Sequence, residues 1–335
     1  MKARLVAAAK FVLGLALLIA VIVWLIPGPA ERHDLAARAR LDVLYLLLGL
    51  ASTFVASIVT SARWQLMAED TMGGTRLPYL VYFHSLVLTR VLGQVSSTLV
   101  MDLVGRGMAL RSAGSQRGLG HAVTQAILER IFDIVLPVMM LAWAMLAWRG
   151  AWDPATAAAS FLAVCLGFAG LAAVLLAPLT RLALRTYASL RRLRARVRRT
   201  VIADEPVPLA IPVAPGLALK IGLLSLARYL SVLLQFWTVA AAVGVGFSFF
   251  QIAAATPIGQ LAGMAGFTPG ALGIQEAGWV GAFKWVGVPA VEIGLFVLSQ
   301  RLIITAYFSL LSLISWLLLR RTRTTPTVPA VDPAA

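Results

Sequence analysis

The stretch Thr268-Pro269-Gly270-Ala271-Leu272-Gly273-Ile274-Gln275-Glu276 decides how this chain is read. Proline removes a backbone donor and glycine favours turns, so a helix that reaches this stretch ends there. The break falls inside some seventy residues, about 217 to 288, whose composition is otherwise that of a membrane interior. Backbone polar groups facing lipid are costly, so broken structure at this depth is packed in protein or lines a wet cavity. Glu276 adds a carboxylate in a place where charge persists mainly when paired or hydrated. The stretch therefore predicts a site rather than a plain anchor.

The rest of the sequence supplies the membrane. Of 335 residues, 60% are hydrophobic and 13% charged, and the mean hydropathy is +0.87. Soluble domains carry about 25% charged residues, so this chain could not cover a water-facing surface. The net charge of +15 raises the question of nucleic acid, but the basic residues fall between apolar runs. No nucleic-acid module is visible, and an excess of Lys and Arg on cytoplasmic loops accounts for the charge. Cys165 stands alone in an apolar run, which leaves no internal disulfide and no CxxC metal site. The first apolar run follows Lys2, Arg4 and Lys10 but leads into Pro27-Gly28-Pro29 rather than a small-residue cleavage site. It reads as a retained anchor helix.

Runs long enough to span about 30 Å lie near 10–27, 41–62, 121–148, 155–178, 217–244 and 290–319. Two further stretches, about 79–108 and 249–288, are interrupted by Gly, Pro, Ser and charge. Arginines are dense at 181–199 and at Arg320, Arg321 and Arg323, and the N-terminus is basic. All three regions reach the cytoplasm if six runs span fully and both interrupted stretches are hairpins. The hairpins then enter from opposite sides, as in an inverted-topology repeat. The alternative is eight transmembrane helices. Short matches support the repeat: Tyr82-Phe83-His84 precedes Gly93-Gln94, and Phe249-Phe250-Gln251 precedes Gly259-Gln260. An Arg inside the next apolar helix follows each Gly, Arg130 after 37 residues and Arg301 after 42.

The expected organisation is a single polytopic membrane domain, residues 1–320. One half covers about 1–180 and the other about 217–320. Between them lies a basic amphipathic helix, its arginines on one stripe, suited to an anionic leaflet. A linker follows it, up to residue 216, in which Pro206, Pro208, Pro212 and Pro215 exclude a continuous helix. The tail 321–335, rich in Thr, Pro and Ala, is expected to be disordered.

Five acidic residues lie within or beside apolar stretches: Asp102, Glu129, Asp133, Glu276 and Glu292. Asp102 and Arg106 are one helical turn apart and can pair, as can Arg130 and Asp133. Arg301 has no local partner and must find one in another segment. Asp133 and Glu292 read as structural, whereas Asp102, Arg106, Arg130, Glu276 and Arg301 read as functional. Guanidinium is a planar fork suited to phosphate, and broken helices aim free N–H groups at anions. His84 and His121 read as packing or interfacial residues. Enzyme signatures are lacking: there is no HExxH, Walker loop, Cys/His cluster or Asp-x-Asp pair, so neither catalysis nor a cofactor is expected.

The blocks Gly93-Gln94, Asp102-x-x-x-Arg106, Glu129-Arg130-x-x-Asp133, Thr268-Pro269-Gly270-Ala271-Leu272-Gly273-x-x-Glu276 and Arg301 resemble the lysylphosphatidylglycerol synthase transmembrane region. The resemblance runs over about 10–320. Two positions depart from the family pattern: Met101 and Ala271 stand where a Gly is usual. The resemblance implies an all-helical protein whose relatives move lipids or lipid-linked molecules between leaflets. A bacterial inner membrane is the expected location, and the arginine placement expects both termini in the cytoplasm. Its aminoacyl-phospholipid branch carries a fused cytoplasmic synthetase. The few residues after the last span cannot hold one, so lysine transfer is not expected. A separately encoded synthetase or glycosyltransferase is the implied partner, and the alternative role is a non-transporting subunit that presents lipid to it. The substrate-binding set carried by these blocks is Asp102, Arg106, Glu129, Arg130, Thr268, Pro269, Gly270, Gly273, Glu276 and Arg301.

Overall fold

A computed structural model describes residue 16 and residues 41–70, 77–96, 100–112, 119–150, 152–198, 215–265 and 268–323. The rest of the expected first span near 10–27, most of the Pro-rich linker and the tail after Arg323 lie outside these residues. Among the described residues every regular element is helical. They are α1 (Val43–Asp70), α2 (Tyr79–Val95), a π-helical turn (Met101–Gly105) running into α3 (Arg106–Ser112), α4 (Leu119–Arg149) and α5 (Pro154–Arg198). Then come α6 (Pro215–Ala242), α7 (Phe249–Ala265), a 3-10 turn (Pro269–Ala271), α8 (Ile274–Trp285) and α9 (Ala290–Arg323). The protein is an all-α membrane protein.

Five of these helices, α1, α4, α5, α6 and α9, contain apolar segments of 20 to 32 residues, enough to cross a hydrocarbon core of about 30 Å. They coincide with five of the six expected spans. The interrupted stretches are helical hairpins. Helices α2 and α7 have 17 residues each and α8 has 12, so they reach only about 25 and 18 Å at 1.5 Å per residue. Helix α2 packs back on the π turn and α3, and α7 packs on α8. The second hairpin opens beside the end of α4 and the start of α5, where Phe250 meets Trp148 and Phe249 meets Phe161. The first opens at the opposite end of the bundle, by the second half of α1, where Tyr79 donates its hydroxyl to the Ile58 carbonyl. Helices α1 and α6 run antiparallel, the Asp42 amide donating to the Ala242 carbonyl at 2.9 Å.

Apolar and polar residues have exchanged their usual places. Leu302 is 73% exposed and Val174 71%, while Glu276 is fully buried and so is Arg63. In water such leucine-rich outer faces would aggregate; they are the lipid-facing surface. The interior is closed by aromatics around Trp279, which meets Phe236 with ring centroids 4.7 Å apart and Phe296 at 5.4 Å. Small residues let the arms of the second hairpin close on one another. A Cβ on Gly259 would come within 2.8 Å of the Trp279 ring, and one on Gly278 would collide with Ala262.

The basic stretch 181–198 is helical, as its arginine stripe predicts, and it continues α5 without a break. At the other end of α5, Asp153 accepts the amides of Ala155 and Thr156 and the Thr156 hydroxyl. These bonds hold its carboxyl below the usual carboxylate range.

Candidate functional site

The tip of the second hairpin is the stretch that breaks the helix. Thr268 is extended, Pro269 starts a single 3-10 turn, and Gly270 and Gly273 take positive φ angles of 58° and 79°. Ala271 also sits at positive φ, 55°, a region that costs a residue with a Cβ about 1–2 kcal/mol. The Thr268 hydroxyl closes the turn on the Leu272 carbonyl at 2.8 Å. Glu276 turns back so that one carboxylate oxygen accepts the Gly273 amide at 2.7 Å. Its other oxygen accepts from Arg301 of α9. The Arg301 guanidinium also donates to the Gly270 carbonyl and, at 3.3 Å, to the Gln94 side chain.

Gln94 belongs to the tip of the first hairpin, so the two tips meet. The Gly270 amide donates to the Ser96 carbonyl at 2.7 Å. Beyond that tip, the π turn carries Asp102 inward. This carboxylate holds three arginines: Arg130, Arg106 at 3.3 Å and Arg90 at 3.6 Å. Arg106 passes on to Glu129 at 2.5 Å, and Arg63 joins Glu129 at 3.5 Å to Asp133 at 2.9 Å. Arg228 of α6 reaches the same Asp133 oxygen at 2.9 Å. Five helical segments are thereby linked by alternating charges buried from lipid.

The two halves repeat one device. A hairpin carboxylate, Asp102 or Glu276, is paired with an arginine of the following helix, Arg130 or Arg301. Arg130 lies eleven residues after Leu119, the start of α4, and Arg301 eleven after Ala290, the start of α9.

Between the tips and helices α1, α4, α6 and α9 lies a cavity of about 200 Å³. Arg90, Arg130, Arg228 and Arg301 line it, and among the described residues no Asp or Glu does. Their side chains are 13–25% exposed, whereas the carboxylates behind them are 1–7% exposed. Each guanidinium is anchored from behind and keeps an edge toward the cavity. Among the described residues, six arginines meet four carboxylates in the combined cluster, a surplus of two positive charges.

Of the residues predicted from sequence, Arg130 and Arg301 line the cavity. Asp102, Arg106, Glu129 and Glu276 stand behind the wall as counter-charges, and Thr268, Pro269, Gly270 and Gly273 shape the hairpin tip. Arg130 pairs with Asp102, where the local spacing had suggested Asp133. Arg63 and Arg228 were missed. Arg63 falls one residue past the predicted end of its span, and Arg228 lies mid-span without a nearby acid. A signal was present: Ala62-Arg63-Trp64 and Ala227-Arg228-Tyr229 stand 30 and 31 residues before the repeat glycines Gly93 and Gly259. His84 is a packing residue, its ring nitrogen 2.9 Å from the Ser315 hydroxyl, while the His121 side chain lies outside the described residues.

Comparison with curated proteins and with solved structures finds no match. The family model described as the lysylphosphatidylglycerol synthase TM region matches residues 11–312, a range that takes in both hairpins and every arginine of the cluster. The chain belongs to the lysylphosphatidylglycerol synthase transmembrane-region family.

Proposed function

We propose that this protein moves an anionic phospholipid or lipid-linked molecule between membrane leaflets, with the headgroup held among the cavity arginines and the acyl chains left in lipid. The observation that carries this reading is the cavity wall. Among the described residues, four guanidiniums face the space between two hairpin tips, the carboxylates of the cluster lie behind them, and the cluster has two positive charges to spare. Surplus charge in a low-dielectric interior is compensated by an anion, and the planar fork of arginine suits a phosphate oxygen pair. The family adds a lipid-related setting. The protein does no covalent chemistry in this reading. Hairpins that open toward opposite ends and meet at their tips suit alternating access around a fixed site. The arginine-rich ends, 181–198 and Arg320 to Arg323, are assigned to the cytoplasm of a bacterial inner membrane by the positive-inside rule.

Reconstitution tests the reading. Vesicles containing the purified chain and acyl-labelled phosphatidylglycerol should exchange label between leaflets faster than protein-free vesicles, and equal rates would refute transport. The basic helical extension of α5 favours one other role, docking a synthetase or glycosyltransferase to which the cavity presents lipid. Copurification of such an enzyme, lost when the 181–198 arginines are neutralised, together with no exchange in vesicles, would select that role.

A further inference from the structure

A second space lies behind the first hairpin, on the face of α2 turned away from the arginine cavity. Arg90 and Gln94 line that cavity, whereas Leu88 and Leu92, on the other side of the same helix, line a groove of about 730 Å³. Val100, Met101 of the π turn, Met108 of α3 and Leu319 of α9 continue its apolar wall. Leu88, Leu92, Val100 and Met108 are 36–60% exposed, so the groove is open sideways to lipid. Its polar inner side chains are already engaged: His84 lies 2.9 Å from the Ser315 hydroxyl, and Thr89 donates to the Leu86 carbonyl at 2.9 Å. Along α2 the groove runs from Val81 to Leu92, about 16 Å at 1.5 Å per residue. That is about half of a 30 Å hydrocarbon core, the depth of one leaflet.

Charge stands at one end of the groove. Arg320 lines it where the apolar run of α9 gives way to Arg320, Arg321 and Arg323, and its guanidinium rests 3.7 Å from the ring centre of Trp316. Among the described residues no Asp or Glu lines the groove. Trp and Arg at the end of a spanning helix sit at headgroup level. A guanidinium stacked through its face still presents its in-plane N–H donors, which suit phosphate oxygens. We infer that this groove binds one glycerophospholipid of the arginine-rich leaflet, with an acyl chain between α2 and α3 and the phosphate on Arg320. The occupant is distinct from any cargo of the central cavity, because α2 stands between the two spaces. Its site therefore does not depend on the transport reading. The bound chain braces from behind the helix that carries Arg90 and the turn that carries Asp102.

Native mass spectrometry of the detergent-purified full chain, titrated with phosphatidylglycerol, tests the inference, with diacylglycerol of the same chains as the phosphate-free probe. Phosphatidylglycerol should bind at least about tenfold more tightly, the worth of a charge-assisted hydrogen bond, and should raise the unfolding midpoint. Equal affinity for diacylglycerol overturns the phosphate contact and with it the inference. Arg320→Gln should lose one bound lipid. Leu88→Trp, which fills the groove, should lose the same one, so the double variant binds no fewer than either single variant. Leu302→Trp, on lipid-facing surface elsewhere on α9, should keep it. A lipid count untouched by Arg320→Gln and Leu88→Trp overturns the inference, because the lipid then lies elsewhere. So does an equal loss in Leu302→Trp, because the lipid is then merely annular. Met108→Cys in a Cys165→Ala background identifies the occupant. Protection of the new thiol from N-ethylmaleimide only when phosphatidylglycerol is added supports a lipid. Protection in lipid-free protein means that another part of the chain covers the groove, and labelling that lipid does not alter means that nothing does; either result overturns the assignment.

Discussion

Gly270 donates its amide to the carbonyl of Ser96 across 2.7 Å, and this single backbone bond joins the tips of hairpins that enter the bundle from opposite ends. Nothing larger than glycine fits there. A Cβ on Gly270 would lie 2.7 Å from the Gln94 carbonyl oxygen and would collide with Arg301, at a φ of +58°. Gly270→Ala is expected to part the tips and cost about 1–3 kcal/mol. Thermal unfolding in detergent and leaflet exchange should both fall; unchanged values would remove the tip contact from the mechanism.

Ala271 supplies the opposite case. It is held at φ 55° with its methyl group buried. Ala271→Gly relieves left-handed strain of about 1–2 kcal/mol. It also gives up the buried methyl, worth about 0.8 kcal/mol, and adds entropy to the unfolded chain, so the unfolding midpoint should stay close to that of the parent protein. A drop as large as that expected for Gly270→Ala would contradict this account of the turn.

Arg63 neutralises two buried carboxylates at once, Glu129 and Asp133. Arg63→Met should destabilise by about 3–5 kcal/mol, most of it from the charges left behind. Combining it with Asp133→Asn should recover part of that loss, which a double-mutant cycle reads directly. Strict additivity of the two substitutions would show that the network is not coupled.

Arg301 and Arg130 should not tolerate lysine. Arg301 serves Glu276, Gly270 and Gln94 together, a geometry that a fork reaches and a point charge does not. Exchange by Arg301→Lys and Arg130→Lys proteins is expected to drop by at least about tenfold with near-normal unfolding midpoints. Full activity of either would show that charge alone suffices.

Gly259→Leu should cost about 1–3 kcal/mol by overpacking, since the side chain would enter the space of Trp279. Comparing its unfolding midpoint with that of Gly281→Leu, where a Cβ meets nothing within 4 Å, isolates the packing term.

Much of the fold could be read from the sequence because lipid simplifies the problem. Long apolar runs must be helices, and the interruptions at Gly93–Asp102 and Thr268–Glu276 could only be shielded breaks. The carboxylates Asp102 and Glu276 stood out for the same reason, as did Arg130 and Arg301. What the sequence hid were the long-range partners. Arg63 meets Asp133 across 70 positions and Arg301 meets Gln94 across 207, separations that no helical spacing encodes. The five cavity glutamines were equally silent, since an uncharged polar residue in a helix costs too little to mark itself. Only the packing of α2, α6, α7, α8 and α9 brings Gln94, Gln235, Gln260, Gln275 and Gln300 to the wall of one cavity.

The carboxylate of Glu276 is engaged at both ends. One oxygen fixes the first turn of α8 through the Gly273 amide, and the other restrains Arg301. Arg301 and the first turn of α8 thus share one carboxylate, so a substitution that removes either partner also alters the hold on the other.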